Sequence, residues 1–170
     1  MVAMSRSFEV VTESPASVDQ IHAAYCQEGY WQARIEAGAA VATTLDTLII
    51  DSDGSVKVVV TQHIGRQLLK GPFAKFLPGD VKLVHNETWQ PDADGQVCGR
   101  ISVSAGVLGS GHADNWLAPT DSGSRLRSAG KVEVKIPLVG GKLEKHIKAG
   151  LAESISEIMV FTTAWIDDNN

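Results

Sequence analysis

At 170 residues, with 44% hydrophobic and 21% charged residues and a net charge of −5, the chain can bury one sizeable core and is too apolar to stay disordered. Its two cysteines, Cys26 and Cys98, stand far apart, which excludes a paired-cysteine metal or redox motif. No apolar run approaches the length of a bilayer span and residues 1–10 carry no secretory apolar stretch, so a cytoplasmic chain with reduced thiols is expected.

Ser7 to Thr12 alternates in the β manner and predicts a first strand. Ser14-Pro15 then signals a helix start, serine suiting an N-cap and proline a first turn, and Ser17 with Gln20 has capping-box spacing. Val18, Ile21 and Tyr25 line one helical face. Gly29 interrupts it, and a second short helix follows with Trp31 and Ile35 four apart. Two strands, Thr43 to Asp51 and Ser55 to Ile64, flank Asp53-Gly54, a strong hairpin pair. Gly65 to Leu77 changes character: Leu68, Leu69, Phe73, Phe76 and Leu77 form an amphipathic insert broken at Gly71-Pro72, either a lid or a fixed connector.

Val81 to Gln90 and Gln96 to Val107 are predicted as antiparallel partners turning at Asp94-Gly95. Gly109 to Gly111 is expected to turn the chain into a less regular strand, His112 to Pro119. Asp121-Ser122-Gly123 turns it again into Ser124 to Pro137, where Val132, Val134 and Ile136 alternate with Lys131, Glu133 and Lys135. Beyond Gly140-Gly141 the period changes to 3.6. Leu143, Ile147, Leu151, Ile155, Ile158, Met159 and Trp165 mark one side of a long helix ending near Asp167.

Charge is uneven. Arg125 to Lys148 holds seven basic and two acidic residues, against eight and eighteen elsewhere. Such a stripe suits weak contact with an anionic membrane, or is a solvated strand edge neutralised by Glu133, Glu144 and water, the reading the pattern favours. No nucleic-acid partner is expected.

The order is one strand, a helix pair, six further strands and a long terminal helix. With Ser14-Pro15-Ala16, Tyr30-Trp31 and Arg34, and the run Val134-Lys135-Ile136-Pro137-Leu138-Val139-Gly140-Gly141-Lys142-Leu143-Glu144, it resembles the helix-grip fold of the START-like superfamily. That group, also called SRPBCC, includes polyketide cyclases, Bet v 1-type proteins and lipid-transfer domains. More narrowly, the chain resembles an actinobacterial family of unknown function within it. The resemblance implies an α+β domain, residues 7–168 with short tails at 1–6 and 169–170, in which a curved antiparallel sheet of about seven strands wraps a long C-terminal helix. It also implies a cavity between sheet and helix for a hydrophobic small molecule, lipid-like or polycyclic.

The residues nominate lining groups for such a cavity. Leu83, His85, Glu87 and Trp89 share one strand face by parity. Ile101 and Val103 belong to the next strand, Ile147, Leu151 and Ile155 to the long helix, and Phe73 and Phe76 to the insert. If that face points inward, His85 and Glu87 enter the cavity together and suit orienting a ligand hydroxyl or acting as a general base. If the inner part of the strand ends at Leu83, the two stand at a wet mouth. Three functions stay open: a non-catalytic binding or transfer protein, which the pattern favours; a cyclase or isomerase using His85 and Glu87; and a solid-core interaction protein with a basic surface. No catalytic residue, cofactor or metal site is assigned. His112 and Asp114 are too few for a metal, and Gly109-Ser110-Gly111 lacks the strand-to-helix setting of a phosphate loop.

Overall fold

Hairpin follows hairpin for most of the chain, so neighbouring strands in sequence become neighbours in the sheet. The computed structural model describes residues 4–38, 42–65, 79–136 and 140–170. Its strands are β1 (Met4–Ser14), β2 (Ala42–Ile50), β3 (Val56–Ile64), β4 (Val81–Pro91), β5 (Val97–Ser104), β6 (Gly109–Thr120) and β7 (Gly123–Val134). Helices α1 (Val18–Tyr25) and α2 (Glu28–Ala37) join β1 to β2, and α3 (Gly140–Asp168) ends the chain. All pairings are antiparallel, in the order β1-β7-β6-β5-β4-β3-β2. This is the expected α+β helix-grip arrangement, a curved seven-stranded sheet with two short helices after its first strand.

Two local expectations are corrected. Ser14 does not cap α1; it is the last residue of β1, and its hydroxyl accepts from Ala16 N at 3.0 Å. Ser17 caps instead, because only it has Gln20 three residues on: Gln20 N donates to Ser17 Oγ and Ser17 N to Gln20 Oε1. The Gly109–Gly111 stretch lies inside β6, and the turn falls on the 3₁₀ segment Gly106–Leu108. Glycine is needed at 109 for closeness: a Cβ there would stand 2.2 Å from the carbonyl oxygen of Glu133 on β7.

The long helix runs 29 residues, about 43 Å, and packs on β1, β7 and α1. Burial falls into two clusters. One holds Val18, Ile21, Tyr25, Tyr30, Trp31, Val56, Val58, Trp89, Leu117, Met159 and Ile166, where α1, α2 and the last turns of α3 meet the sheet. The second is smaller. Phe8, Ala113, Val132 and Val134 pack there with Leu143, Ile147 and Leu151 of the first half of α3. Ile155 touches both clusters.

Glu144, read from sequence as a surface neutraliser, is instead 1% exposed. Its Oε2 accepts the backbone N–H of Val134 at 2.9 Å, tying the start of α3 to the end of β7. The two arginines of β7 find other partners. Arg125 meets Glu13 at 2.6 Å and Arg127 meets Glu9 at 3.4 Å, both across the β1–β7 ladder. Replacing Glu144 with Ala leaves a buried N–H without an acceptor and should cost about 1–3 kcal/mol in urea unfolding. Glu144→Gln keeps a carbonyl acceptor and should lose less than half as much.

Candidate functional site

Strand parity puts Val81, Leu83, His85, Glu87 and Trp89 of β4 on the inner face, beside Val56, Val58, Val60 and Gln62 of β3 and Gly99, Ile101 and Val103 of β5. That wall divides along its length. Val56, Val58, Glu87 and Trp89 are buried at one end and Val81 at the other, while Val60, Gln62, Leu83, His85, Ile101 and Val103 between them remain partly exposed.

The Trp89 end is an aromatic cage. Tyr25 lies 4.9 Å from Trp89 and 5.4 Å from Tyr30 between ring centroids, and Tyr30 meets Trp31 edge to face at 5.0 Å. The indole of Trp89 has room because β5 carries glycine opposite it: a Cβ at Gly99 would stand 2.4 Å from the ring. The polar tips of Trp31 and Tyr30 are tied. Trp31 Nε1 donates to Tyr25 O at 2.8 Å. Thr162 gives its hydroxyl proton to Ile158 O, so Tyr30 Oη donates to Thr162 Oγ1, at 2.7 Å.

Glu87 is set into this cage, 8% exposed. Its Oε1 accepts from Trp89 Nε1 at 2.7 Å and from Arg34 Nη1 at 3.4 Å. The guanidinium lies 5.1 Å from the Trp31 ring centre. Burial opposes the charge of Arg34, but Glu87, Tyr30 and Tyr25 outweigh it and hold its pKa above the ordinary value. Burial foremost, then the neighbouring Tyr30 and Glu87, pushes the Tyr25 phenol well up. The Tyr30 phenol is also raised, chiefly by burial.

His85 and Glu87 thus share the inner face but not a hydrogen bond. His85 Nε2 lies 2.7 Å from Gln62 Oε1 on β3. Burial lowers its pKa, against an upward pull from Glu87, with Arg34 adding to the lowering.

Of the other nominated residues, Ile101 and Val103 join the partly exposed wall. Ile147 and Leu151 sit farther along α3, against the second cluster, and Ile155 spans the two. Phe73 and Phe76 lie outside the described residues. Arg34, Gln62 and Tyr25 were not nominated. Gln62 was findable, being the polar end of the face Val56, Val58, Val60. Arg34 follows Tyr30-Trp31 by one helical turn, a spacing that suits stacking. On the outer face, a shallow groove between β3, β4 and β5, lined by Lys57, Thr88, Gln90 and Arg100, is open to solvent. Among the described residues no three His, Cys, Asp or Glu side chains converge as metal ligands. No helix among them is long and apolar enough to cross a membrane.

Residues 9–166 match the family model described as "Protein of unknown function (DUF2505)". Uncharacterized proteins of Mycobacterium tuberculosis and Mycobacterium bovis are each 31% identical over 173 residues, spanning 98% of this chain and 99% of theirs. Among solved structures, Ara h 8.0201 aligns with a TM-score of 0.58 at 12% identity, over 97% of this chain and 99% of that one. A truncated norcoclaurine synthase from Thalictrum flavum aligns at 0.51 with 18% identity, over 93% and 95%. At those identities the likeness concerns the fold alone, a curved antiparallel sheet with a long C-terminal helix.

Two predictions follow from the cage and its neighbour. Arg34 is 22% exposed and can swing toward water when Glu87 is lost, whereas Glu87 has no such route. Arg34→Met should therefore destabilise by about 2–4 kcal/mol, and Glu87→Gln by roughly half of that; a double-mutant cycle in urea checks the order. For His85 the folded pKa lies below the unfolded one, so the unfolded chain takes the proton first. Stability should fall as pH drops below about 6.5, and His85→Leu should flatten that slope between neutral pH and about pH 5.

Proposed function

The chain belongs to the DUF2505 family, and on that premise we propose that it binds or transfers a hydrophobic small molecule, lipid-like or polycyclic, between the β3–β5 wall and α3. The observation that carries this reading is the incomplete burial of Val60, Leu83, Ile101 and Val103, apolar side chains on the inner face of the sheet. A packed core would cover them, and an outward-facing strand would carry polar residues in their place.

Magnitudes say where the rest of the binding energy comes from. Covering the exposed part of those four side chains is worth about 1 kcal/mol each. The sum, about 4 kcal/mol, corresponds to millimolar affinity. A useful carrier therefore needs a second wall, and the half-buried Ile147, Leu151 and Ile155 of α3 supply candidates for it. The carboxylate of Glu87 is held by Trp89 and Arg34, which favours binding over acid–base turnover. Cys26 and Cys98 are free thiols in partly exposed positions, which suits a reducing compartment, and we take the cytoplasm as the place of action.

An environment-sensitive apolar dye should bind the purified chain at one site and be displaced by polycyclic or long-chain compounds. Val103→Asp should weaken the dye roughly tenfold or more, since an ionised group in the wall must be desolvated. It should cost little stability, because Val103 is only half buried. A saturable dye signal that ignores this substitution would place binding elsewhere.

A further inference from the structure

His85 and its partner Gln62 are the polar groups set among the apolar residues of the open wall. On the strand ladder His85 stands between Val60 of β3 and Val103 of β5, with Leu83 two residues away on its own face. Its Nε2 faces Oε1 of Gln62 at 2.7 Å. A carbonyl oxygen accepts only, so Nε2 carries the proton of the neutral ring and the lone pair lies on Nδ1. Among the described residues no donor meets Nδ1. Glu87, on the same face about 7 Å along the strand, is already answered by Arg34 and Trp89, so the wall presents no charge that a ligand must match.

Resting on the binding reading above, we propose that the ligand carries a neutral hydroxyl, phenolic or alcoholic, on its apolar body, and that this O–H donates to Nδ1 of His85. A carboxylate has no proton to give at neutral pH and would bring negative charge against the Nδ1 lone pair and toward Glu87. A ketone offers lone pairs to a lone pair. Burial keeps the ring neutral by lowering its pKa against the pull of Glu87, so Nδ1 keeps its accepting role at neutral pH.

The test uses the full chain with an apolar dye displaced by four probes of one ring system: methylnaphthalene, naphthol, naphthyl methyl ketone and naphthoate. Naphthol should displace the dye roughly three- to tenfold more tightly than methylnaphthalene, the gain of one hydrogen bond in an apolar site. Ketone and naphthoate should both fall below naphthol. His85→Phe should erase the naphthol advantage, so that naphthol and methylnaphthalene displace the dye equally. Because that variant could also disturb folding, nitrogen NMR of the labelled wild-type imidazole gives an independent reading. Nδ1 should be unprotonated in the free protein and shift with naphthol but not with methylnaphthalene. Equal displacement by all four probes, a preference for ketone or naphthoate, or a protonated Nδ1 would overturn the hydroxyl assignment while leaving the binding function standing. Absence of any dye or probe binding would overturn both.

Discussion

A carboxylate buried among aromatic rings needs donors and a positive charge to reach it, and the position of Glu87 imposes that demand on everything around it. Trp89 answers from the same strand and Arg34 from α2. Arg34 can do so only if α2 is seated at this end of the sheet with the Trp31 ring against the guanidinium. Trp31 in turn reaches back to the carbonyl of Tyr25 at the end of α1, and Tyr30 reaches Thr162 near the end of α3. One polar requirement therefore sets the seating of all three helices at this end of the sheet. Apolar packing alone would tolerate small slides there; a charge-assisted pair with a shared indole donor does not.

Seating the helices at one end leaves the geometry of the other half to α3. The helix leans on β1 and β7 rather than on β4 and β5, because Leu143, Ile147 and Leu151 pack with Phe8, Val132 and Val134. Its start is fixed to β7 by Glu144, and farther along Ser14 of β1 donates to Thr163 at 2.6 Å, as Thr163 spends its own proton on Met159 O. The helix is thereby held at two points along the β1–β7 side of the sheet. The partial exposure of Val60, Leu83, Ile101 and Val103 fits that one-sided anchoring, since these apolar residues belong to the strands farther from it.

Much of the architecture was legible because it is encoded locally. Asp53-Gly54 and Asp94-Gly95 each supply a positive φ at a hairpin turn, +87° at Gly54 and +75° at Gly95, and a hairpin needs nothing beyond its own residues. The inward face of β4 followed from parity, and the length of α3 from an apolar stripe. The errors were also local. Two serines compete for one cap, and only the reciprocal bond to Gln20 decides between them. Glycines at 109–111 resemble a turn in sequence but serve a close approach to β7. What could not be read was pairing between distant elements. Nothing near Glu87 announces that Arg34, on a helix 53 residues earlier, is its partner, and nothing near Glu144 announces that it is buried. Charge composition counts such residues as surface until the fold brings a donor to them.

The pairing of β1 with β7 has a consequence for how the chain is made. Glu13 and Arg125, opposite each other on that ladder, are separated by 112 residues. During synthesis the first strand emerges early and its hydrogen-bonding partner last among the strands, so β1 spends most of translation with its backbone unpaired while the meander from β2 to β6 can already zip hairpin by hairpin. The glutamates at 9 and 13, which in the finished sheet pair with Arg127 and Arg125, are in that interval unpaired charges of the kind that oppose edge-to-edge association. A contact that looks like a modest surface ion pair at equilibrium is, on the time scale of biogenesis, a guard on an edge that must wait.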